Sequence, residues 1–425
     1  MEGKKKAAFV DIIVVGFAMF AVFFGAGNLI FPPYLGMMSG EKWILGFLCF
    51  ILADAGLAIS TVLVMIRGDG SISAIVGRLG RKASWLISTI SMLCVGPLIC
   101  IPRTAATTYE MGMLPLVPGF NSWVFAGLFF AVVYILTIRP SGVVDVIGKF
   151  LTPMMIVTLA VLFIKGIVTP IGDIGSQLEG INVAREGFLA GYQTMDVLGA
   201  LAITLVVVAN AADRGYAGKR ERFTLISKAS IVAVAGLFIV YGGLTYLGAT
   251  TSLLELGGIN QAGLVVTVTQ LLLKRFGVIM LALIVTFACL TTAIGLVSSS
   301  AEYFSALTGG RVRYGRMVFI MCLAGFAISN VGITSIIEIA TPVLNVIYPV
   351  LITQVFLGFF TEKITNDNVF RGAAAGSVLI CILGVAADFG APFAFVHKLP
   401  FSSIGFYWLL PAIAGGAIGA LIRKK

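Results

Sequence analysis

Charge is what this sequence has least of. Lys, Arg, Asp and Glu together make up 11% of 425 residues, against about 25% in ordinary globular domains. So few charges cannot cover a water-exposed surface of that length. Histidine occurs once, as His397, which excludes His-based metal sites and most His-dependent catalysis. Neither His-Glu-x-x-His nor Gly-x-Ser-x-Gly occurs, so an intramembrane hydrolase has no catalytic set to work with. The six cysteines (Cys49, Cys94, Cys100, Cys289, Cys322 and Cys381) all fall inside apolar segments without metal-type spacing. They are expected as small core residues rather than ligands or disulfide partners. The alternating ten-residue pattern of a membrane barrel is missing too.

What the chain has instead is apolar length. Hydrophobic residues make up 59%, with 31 Phe and 50 Gly, and a membrane-spanning helix needs about 20 apolar residues. A hydropathy scan divides the chain into twelve segments near 9–36, 43–66, 84–112, 122–138, 143–167, 188–211, 224–248, 277–308, 314–330, 333–360, 371–388 and 404–422. Each is expected to be a helix, because backbone groups in lipid must be satisfied within the segment. The expected fold class is therefore an all-α polytopic membrane protein, with residues 1–425 forming one transmembrane domain. Lys4-Lys5-Lys6 followed by an apolar run from Asp11 imitates a secretory leader, but the run is too long and has no small-residue cleavage site. It is read as a retained first helix.

The net charge of +10 comes from short basic clusters with no aromatic-interleaved stripe, so no nucleic-acid partner is expected. Their distribution follows the membrane instead. One side collects Lys4, Lys5 and Lys6; Arg67, Arg78, Arg81 and Lys82; Arg139 and Lys149; Arg214, Lys219, Arg220, Arg222 and Lys228; Arg311, Arg313 and Arg316; Lys363 and Arg371; and Arg423, Lys424 and Lys425, a total of 22. The other side holds six: Lys42, Lys165, Arg185, Lys274, Arg275 and Lys398. Arg103 alone, deep within a span, is assigned to neither side. An excess of Lys and Arg marks the cytoplasmic side, which places both termini there.

Two segments are interrupted. The first contains Phe23-Phe24-Gly25-Ala26-Gly27-Asn28-Leu29-Ile30-Phe31-Pro32-Pro33, and the sixth contains Gly191-Tyr192-Gln193-Thr194-Met195-Asp196-Val197-Leu198-Gly199. Glycine and Asn weaken a helix, and proline removes donors and stiffens the outer half of the first segment. Five helices followed by five more, each set opening on a broken one, is the pattern of an inverted-repeat secondary transporter. The repeats would be residues 9–167 and 188–360, with two extra helices over 371–422. Unwinding frees amides that favour a carboxylate and carbonyls that coordinate a small cation. Gly-Ala-Gly-Asn alone is also compatible with a close-packing face of small residues.

Over essentially its whole length the sequence resembles the bacterial branched-chain amino acid:cation symporter family. The stretches that carry the resemblance are Gly25-Ala-Gly-Asn-Leu-Ile-Phe-Pro-Pro33, Gly96-Pro-Leu-Ile-Cys-Ile-Pro-Arg-Thr-Ala105, Gly191-Tyr-Gln-Thr-Met-Asp-Val-Leu-Gly199 and Ala288-Cys-Leu-Thr-Thr292. The resemblance implies the leucine-transporter architecture, a bacterial cytoplasmic-membrane location, and sodium-coupled import of Leu, Ile and Val by alternating access. Proton coupling, or exchange of other apolar amino acids, is the alternative. A channel is disfavoured by broken helices in both repeats, and no cofactor beyond the coupling ion is expected. In that architecture the ion would sit between the carbonyls of Ala21 and Phe24 and the Ala-x-x-Thr-Thr motif, namely the Ala288 carbonyl and the Thr291 and Thr292 hydroxyls. All-oxygen ligation suits a hard cation, although helical Thr residues also bond back to their own carbonyls. A second ion would use the Phe23 carbonyl, Asn28 and Thr194, but the seventh segment lacks the Asn that such sites add. The substrate carboxylate would meet the Ala26 and Gly27 amides, and its ammonium Thr194 and carbonyls of the sixth helix. Tyr192, Met195, Leu98 and Ile294 are candidates for the apolar pocket, and a pocket of that kind discriminates aliphatic chains by only about 1–3 kcal/mol per methylene.

Charges inside spans are costly, at least ~2.5–3.5 kcal/mol on insertion scales, and are functional candidates for that reason. Asp54, Arg103, Glu110, Asp196, Glu302 and Glu338 qualify. Arg103 is expected to pair with Asp196 or Glu338, either as an outer gate or as a static ion pair. Glu302 is expected to snorkel or to pair with a loop arginine, and Asp54 has no partner legible in the sequence. Residues 257–275 have the length and amphipathic character of a lid over the outer vestibule, or of a plain interfacial helix.

Overall fold

The computed structural model describes residues 8–138, 143–216 and 218–422; the side chains of 143–155 and of 206 are not among those described. Lys4, Lys5, Lys6, Arg139, Arg423, Lys424 and Lys425 lie outside the described residues, as does the side chain of Lys149. Among the described residues every regular element is helical, with no strand. Seven helical stretches are long and apolar enough to cross a membrane, and five shorter ones are also apolar.

Each of the twelve hydropathy segments is helical. The first is split into α1 (Phe9–Phe23) and α2 (Ala26–Ser39). The second runs through α3 (Trp43–Ile51), a π-helical turn (Leu52–Gly56) and α4 (Leu57–Arg67). After the short α5 (Ser73–Val76), the third comprises α6 (Arg81–Leu93), a π-helical turn at Cys94–Leu98 and α7 (Cys100–Thr108). α8 (Ser122–Ile138) and α9 (Val143–Val168) complete the first set. The sixth segment is split into α10 (Val183–Thr194) and α11 (Asp196–Asp213). The remaining helices are α12 (Lys219–Ala249), α13 (Gln261–Leu307), α14 (Tyr314–Ser329), α15 (Ile333–Gly358), α16 (Asp367–Asp388) and α17 (Leu409–Leu421).

Two boundaries differ from the hydropathy reading. The lid segment and the eighth span, together α13, are two helical stretches that meet at Lys274, whose backbone is non-helical (φ 54°, ψ −151°), with no loop between them. The last segment becomes a regular helix only at Leu409, after a 3-10 turn at Ser402–Ile404. The six cysteines are free and buried, as expected of core residues.

Without a hydrophobic difference between lipid and side chain, membrane helices associate by close packing, and small residues permit it. A Cβ at Gly36 would stand 1.9 Å from the Thr245 carbonyl oxygen, and one at Gly248 1.8 Å from that of Pro33. α2 and α12 therefore touch backbone to backbone, directly behind the interrupted first segment. The Gly415-x-x-x-Gly419 pair serves a contact within the chain. A Cβ at Gly372 would lie 2.1 Å from the Gly415 carbonyl, and one at Gly419 2.0 Å from that of Asn368, so it joins α16 to α17.

Gly248→Val is expected to force α2 and α12 apart, at a cost of at least about 1–3 kcal/mol for overpacking. Thermal unfolding in detergent should show a clear fall in Tm. Gly295→Val, at a position open on all sides, should leave it nearly unchanged.

Candidate functional site

α1 ends at Phe23, and Phe24 (φ −88°, ψ 90°) and Gly25 (φ −114°, ψ −170°) are extended before α2 begins at Ala26. The first amides of α2, at Ala26, Gly27 and Asn28, have no partner within their own helix, and neither do the last carbonyls of α1. In the sixth segment the break falls on one residue. Met195 adopts a left-handed conformation (φ 65°, ψ 23°), ending α10 and starting α11. That geometry costs a non-glycine residue about 1–2 kcal/mol, and burial of the side chain to 1% exposure holds it in place.

The two interruptions meet. A Cβ on Gly27 would lie 3.2 Å from Thr194 Cα and 3.0 Å from Arg103 Nη2. The N-terminus of α2 and the C-terminus of α10 thus converge on one spot, a positive helix end beside a negative one. A cavity of about 60 Å³ adjoins it, lined among others by Gly25, Ala26, Gly27, Asn28, Thr194, Met195, Asp196 and Thr292. Ligand pockets of about 300–1,000 Å³ are usual, so the helices must move apart to admit a ligand of ordinary size.

Next to the cavity lies a polar cluster drawn from four spans. Asp54, fully buried, is held in the π-helical turn Leu52–Gly56. Thr194 Oγ1 donates to Asp54 Oδ1 at 2.7 Å. Asn28 Nδ2 donates to Asp196 Oδ2 at 3.0 Å and more weakly to Asp54 Oδ2 at 3.5 Å, and it also donates to the Tyr241 hydroxyl. Asn28 Nδ2 thus bridges the carboxyls of Asp54 and Asp196. Phe24 stacks on Tyr241 with ring centroids 6.2 Å apart, which ties the first break to α12. Asp54, without a partner in the sequence, is the acceptor at the centre of this cluster. Tyr241 supplies the seventh-segment contact that was sought as an Asn. The signals for both were a lone carboxylate deep in an apolar run and the one hydroxyl within the apolar stretch 231–244 of the seventh span.

The other expected residues divide. Ala26, Gly27, Thr194 and Met195 are together at the junction, and Phe23 lines the cavity. Thr292 Oγ1 lies 4.0 Å from the Cβ position of Gly25, so the Ala288–Thr292 motif faces the first break. Thr291 Oγ1 donates to the carbonyls of Phe287 (3.1 Å) and Ala288 (3.0 Å), the helical back-bond that the sequence left open. Ala21 sits half-buried one turn before the break. Asn28 turns its amide nitrogen to the carboxylates and its oxygen toward Gly25, 3.7 Å from the Cβ position there.

Three expectations are corrected. Tyr192 does not line the cavity: it is buried against Tyr348, with ring centroids 4.7 Å apart, on the far face of α10. Leu98, in the π-helical turn, is 48% exposed, and Ile294 is packed in the core at 7%; neither lines the cavity. Arg103 makes no ion pair with Asp196 or Glu338 among the described residues. Its guanidinium donates instead to the carbonyls of Gln193 and, at 2.9 Å, of Thr194. Glu338 is exposed, as is Glu302. The physical reason is local. The carbonyls at the end of α10 lack helical donors, and a buried guanidinium with five N–H groups satisfies them directly.

On the face of the lid helix, Glu110 joins three elements. Its carboxylate accepts from Asn260 Nδ2 (2.8 Å) and from the Ile333 amide (2.9 Å), linking the end of the third segment to the caps of α13 and α15. A larger open cleft of about 520 Å³ lies there, between Glu110, Leu114, Val266 and Arg275, away from the helix breaks.

Interrupted helices that meet beside a small cavity are the arrangement of a membrane transporter. The chain belongs to the branched-chain amino acid transport protein family, whose model matches residues 8–425. It is 36% identical over 416 residues to the branched-chain amino acid transport system 2 carrier protein of Pseudomonas aeruginosa, covering 94% of this chain and 93% of the other. It is 31% identical over 432 residues to the branched-chain amino acid permease BrnQ of Bacillus subtilis, covering 98% of both. These relatives are permeases and carriers, and the protein is a transporter, not an enzyme. The fold matches that of a nucleobase-cation-symport-1 family transporter solved in a closed conformation with bromovinylhydantoin bound. That match has a TM-score of 0.64 and 14% identity over 99% of this chain and 96% of that one.

Asp54→Ala would remove the carboxyl that accepts from Thr194 Oγ1 and Asn28 Nδ2, at roughly 1–3 kcal/mol, while Thr194 keeps the Gly191 carbonyl and Asn28 keeps Asp196. Thermal unfolding should show it strongly destabilised beside Glu338→Ala, whose exposed side chain should matter by no more than about 0.5 kcal/mol. Equal midpoints for the two variants would contradict the cluster.

Proposed function

We propose that the protein is a sodium-coupled symporter that imports Leu, Ile and Val across the bacterial cytoplasmic membrane by alternating access. It crosses the bilayer twelve times with both termini in the cytoplasm. Residues 9–167 and 188–360 form the two inverted repeats, and 371–422 the two added helices. The observation that carries this reading is the convergence of the α2 N-terminus and the α10 C-terminus at Gly27 and Thr194. A zwitterion fits between such ends: its carboxylate meets the Ala26 and Gly27 amides, and its ammonium the carbonyls that close α10. Met195, Val95, Ile203 and Leu296, all at the cavity, are the apolar wall for the side chain. The names of the relatives support branched-chain substrates.

The sodium ligands in this reading are the carbonyls of Ala21, Phe24 and Ala288 and the hydroxyls of Thr291 and Thr292. The extended backbone at Phe24 turns a carbonyl out of helical pairing, and Thr292 faces the break. A hydroxyl that donates to its own helix, as Thr291 does, keeps lone pairs for a cation. One observation favours a second reading, proton coupling. Asp54 and Asp196, both buried, share one donor, Asn28 Nδ2, at 3.5 and 3.0 Å, and two carboxyls gathered on one site favour a proton on one of them.

Uptake of labelled leucine into proteoliposomes with an imposed sodium or proton gradient decides between them. Accumulation driven by sodium, competed by isoleucine and valine and lost in Thr292→Ala, is the expected result. Accumulation that ignores sodium and follows the proton gradient would establish the second reading, and equilibration without accumulation would contradict both.

A further inference from the structure

Arg103 is the one buried cation beside the junction among the described residues, and neither the ion ligands nor the substrate contacts of the proposed symport cycle include it. It is 3% exposed and lies just beyond the π-helical turn at Cys94–Leu98, where Gly96 departs from helical geometry (ψ −122°). That bend, with Pro97 and Pro102 on either side of Ile99–Ile101, aims the side chain across the bundle. Nη1 donates to the Gln193 carbonyl and Nη2 to the Thr194 carbonyl at 2.9 Å. The same Nη2 is 3.0 Å from the Cβ position of Gly27, and the guanidinium stands 5.8 Å from the centre of the Phe31 ring.

The position of the guanidinium acts in two ways. First, it holds the carbonyls at the C-terminal end of α10 that an incoming ammonium would use, so the two cations compete for one pair of acceptors. Second, it presses a positive charge against the N-terminus of α2, itself the positive end of a helix dipole. An anion placed between the guanidinium and the Ala26 and Gly27 amides relieves that repulsion and gains a bidentate partner.

We propose that Arg103 is the specificity-determining residue for α-amino acids: it stands in for the substrate ammonium on the Gln193 and Thr194 carbonyls, and yields them to the ammonium as it turns to the substrate carboxylate. The exchange conserves charge-assisted bonds. Two guanidinium–carbonyl bonds give way to ammonium–carbonyl and guanidinium–carboxylate bonds, so a zwitterion displaces the side chain at little net cost. A ligand with only one of the two charged groups leaves one side unpaired. An amine without a carboxylate drives the guanidinium off its carbonyls and gives it nothing in return, and an acid without an ammonium leaves the carbonyls to compete for it. This assignment rests on the amino-acid reading of the site.

The test compares equilibrium binding of L-leucine, which has both groups, with that of leucinol, which keeps the ammonium and lacks the carboxylate. Both are measured at fixed pH and sodium in wild type, Arg103→Gln and Arg103→Lys. In Arg103→Gln, leucine should weaken by about tenfold or more, the scale of one lost charge-assisted hydrogen bond. Leucinol should bind as well as to wild type or better, because its competitor is gone, so the preference for leucine over leucinol falls at least tenfold. Arg103→Lys, which keeps the charge but not the planar fork, should retain an intermediate preference, and it carries the test if Arg103→Gln does not fold. Should leucine and leucinol change by the same factor in the variants, Arg103 is only a tie between the third and sixth segments, and the proposal is overturned. Failure of wild type to bind leucine at all would instead overturn the amino-acid reading, an outcome visible before any variant is made.

Discussion

A helix interrupted inside a bilayer exposes backbone groups that no solvent will satisfy, at several kcal/mol for each one left alone. Most of the architecture around the site can be understood as an answer to that cost. The carbonyls that end α10 are taken by the Arg103 guanidinium. The helix on the far side of the first break, α2, is clamped to α12 by a glycine crossing that no larger residue permits. The polar side chains the breaks bring into the core are drawn into one cluster, in which Asn28, Thr194 and Tyr241 are arranged around the carboxyls of Asp54 and Asp196. Left uncommitted is the useful part: the first amides of α2 and the last carbonyls of α1, directed at a small cavity.

How much of this was readable from residue order differs by level. The helical segments were, since hydropathy and the demand for internal hydrogen bonding leave one solution for a run of about 20 apolar residues. The location of both breaks was as well, because Gly25-Ala-Gly-Asn28 and Gly191–Gly199 put glycine and polar groups where lipid tolerates neither without a cavity. The left-handed residue at the sixth-segment break was not legible, since it falls on Met195, not on either flanking glycine. Composition favours glycine for that conformation, and burial overrode the preference.

Side-chain partnerships were the least legible, and the misses share a cause. Periodicity assigns a residue to a helix, but π-helical turns at Leu52–Gly56 and Cys94–Leu98 shift the helical phase of the residues in and beyond them. Asp54 is swung toward Thr194, and Leu98 out to the surface. Tyr192 is two residues from Thr194, so it lies on a different face of α10 and packs on Tyr348. Pairing Arg103 with a carboxylate assumed that opposite charges seek each other. In a buried site with unpaired carbonyls within reach, the guanidinium met the more exacting demand.

The same logic gives a transport cycle its parts. Ion and substrate would share the first break, one on the carbonyls that end α1 and the other on the amides that open α2. Binding of either must then favour the other, and by the same factor. The most direct measurement is therefore a pair of titrations on the purified protein, of leucine at a series of sodium concentrations and of sodium at a series of leucine concentrations. A rise in leucine affinity with sodium, matched by an equal rise in sodium affinity with leucine, is the predicted result. Leucine binding indifferent to sodium would contradict a shared site at the helix breaks.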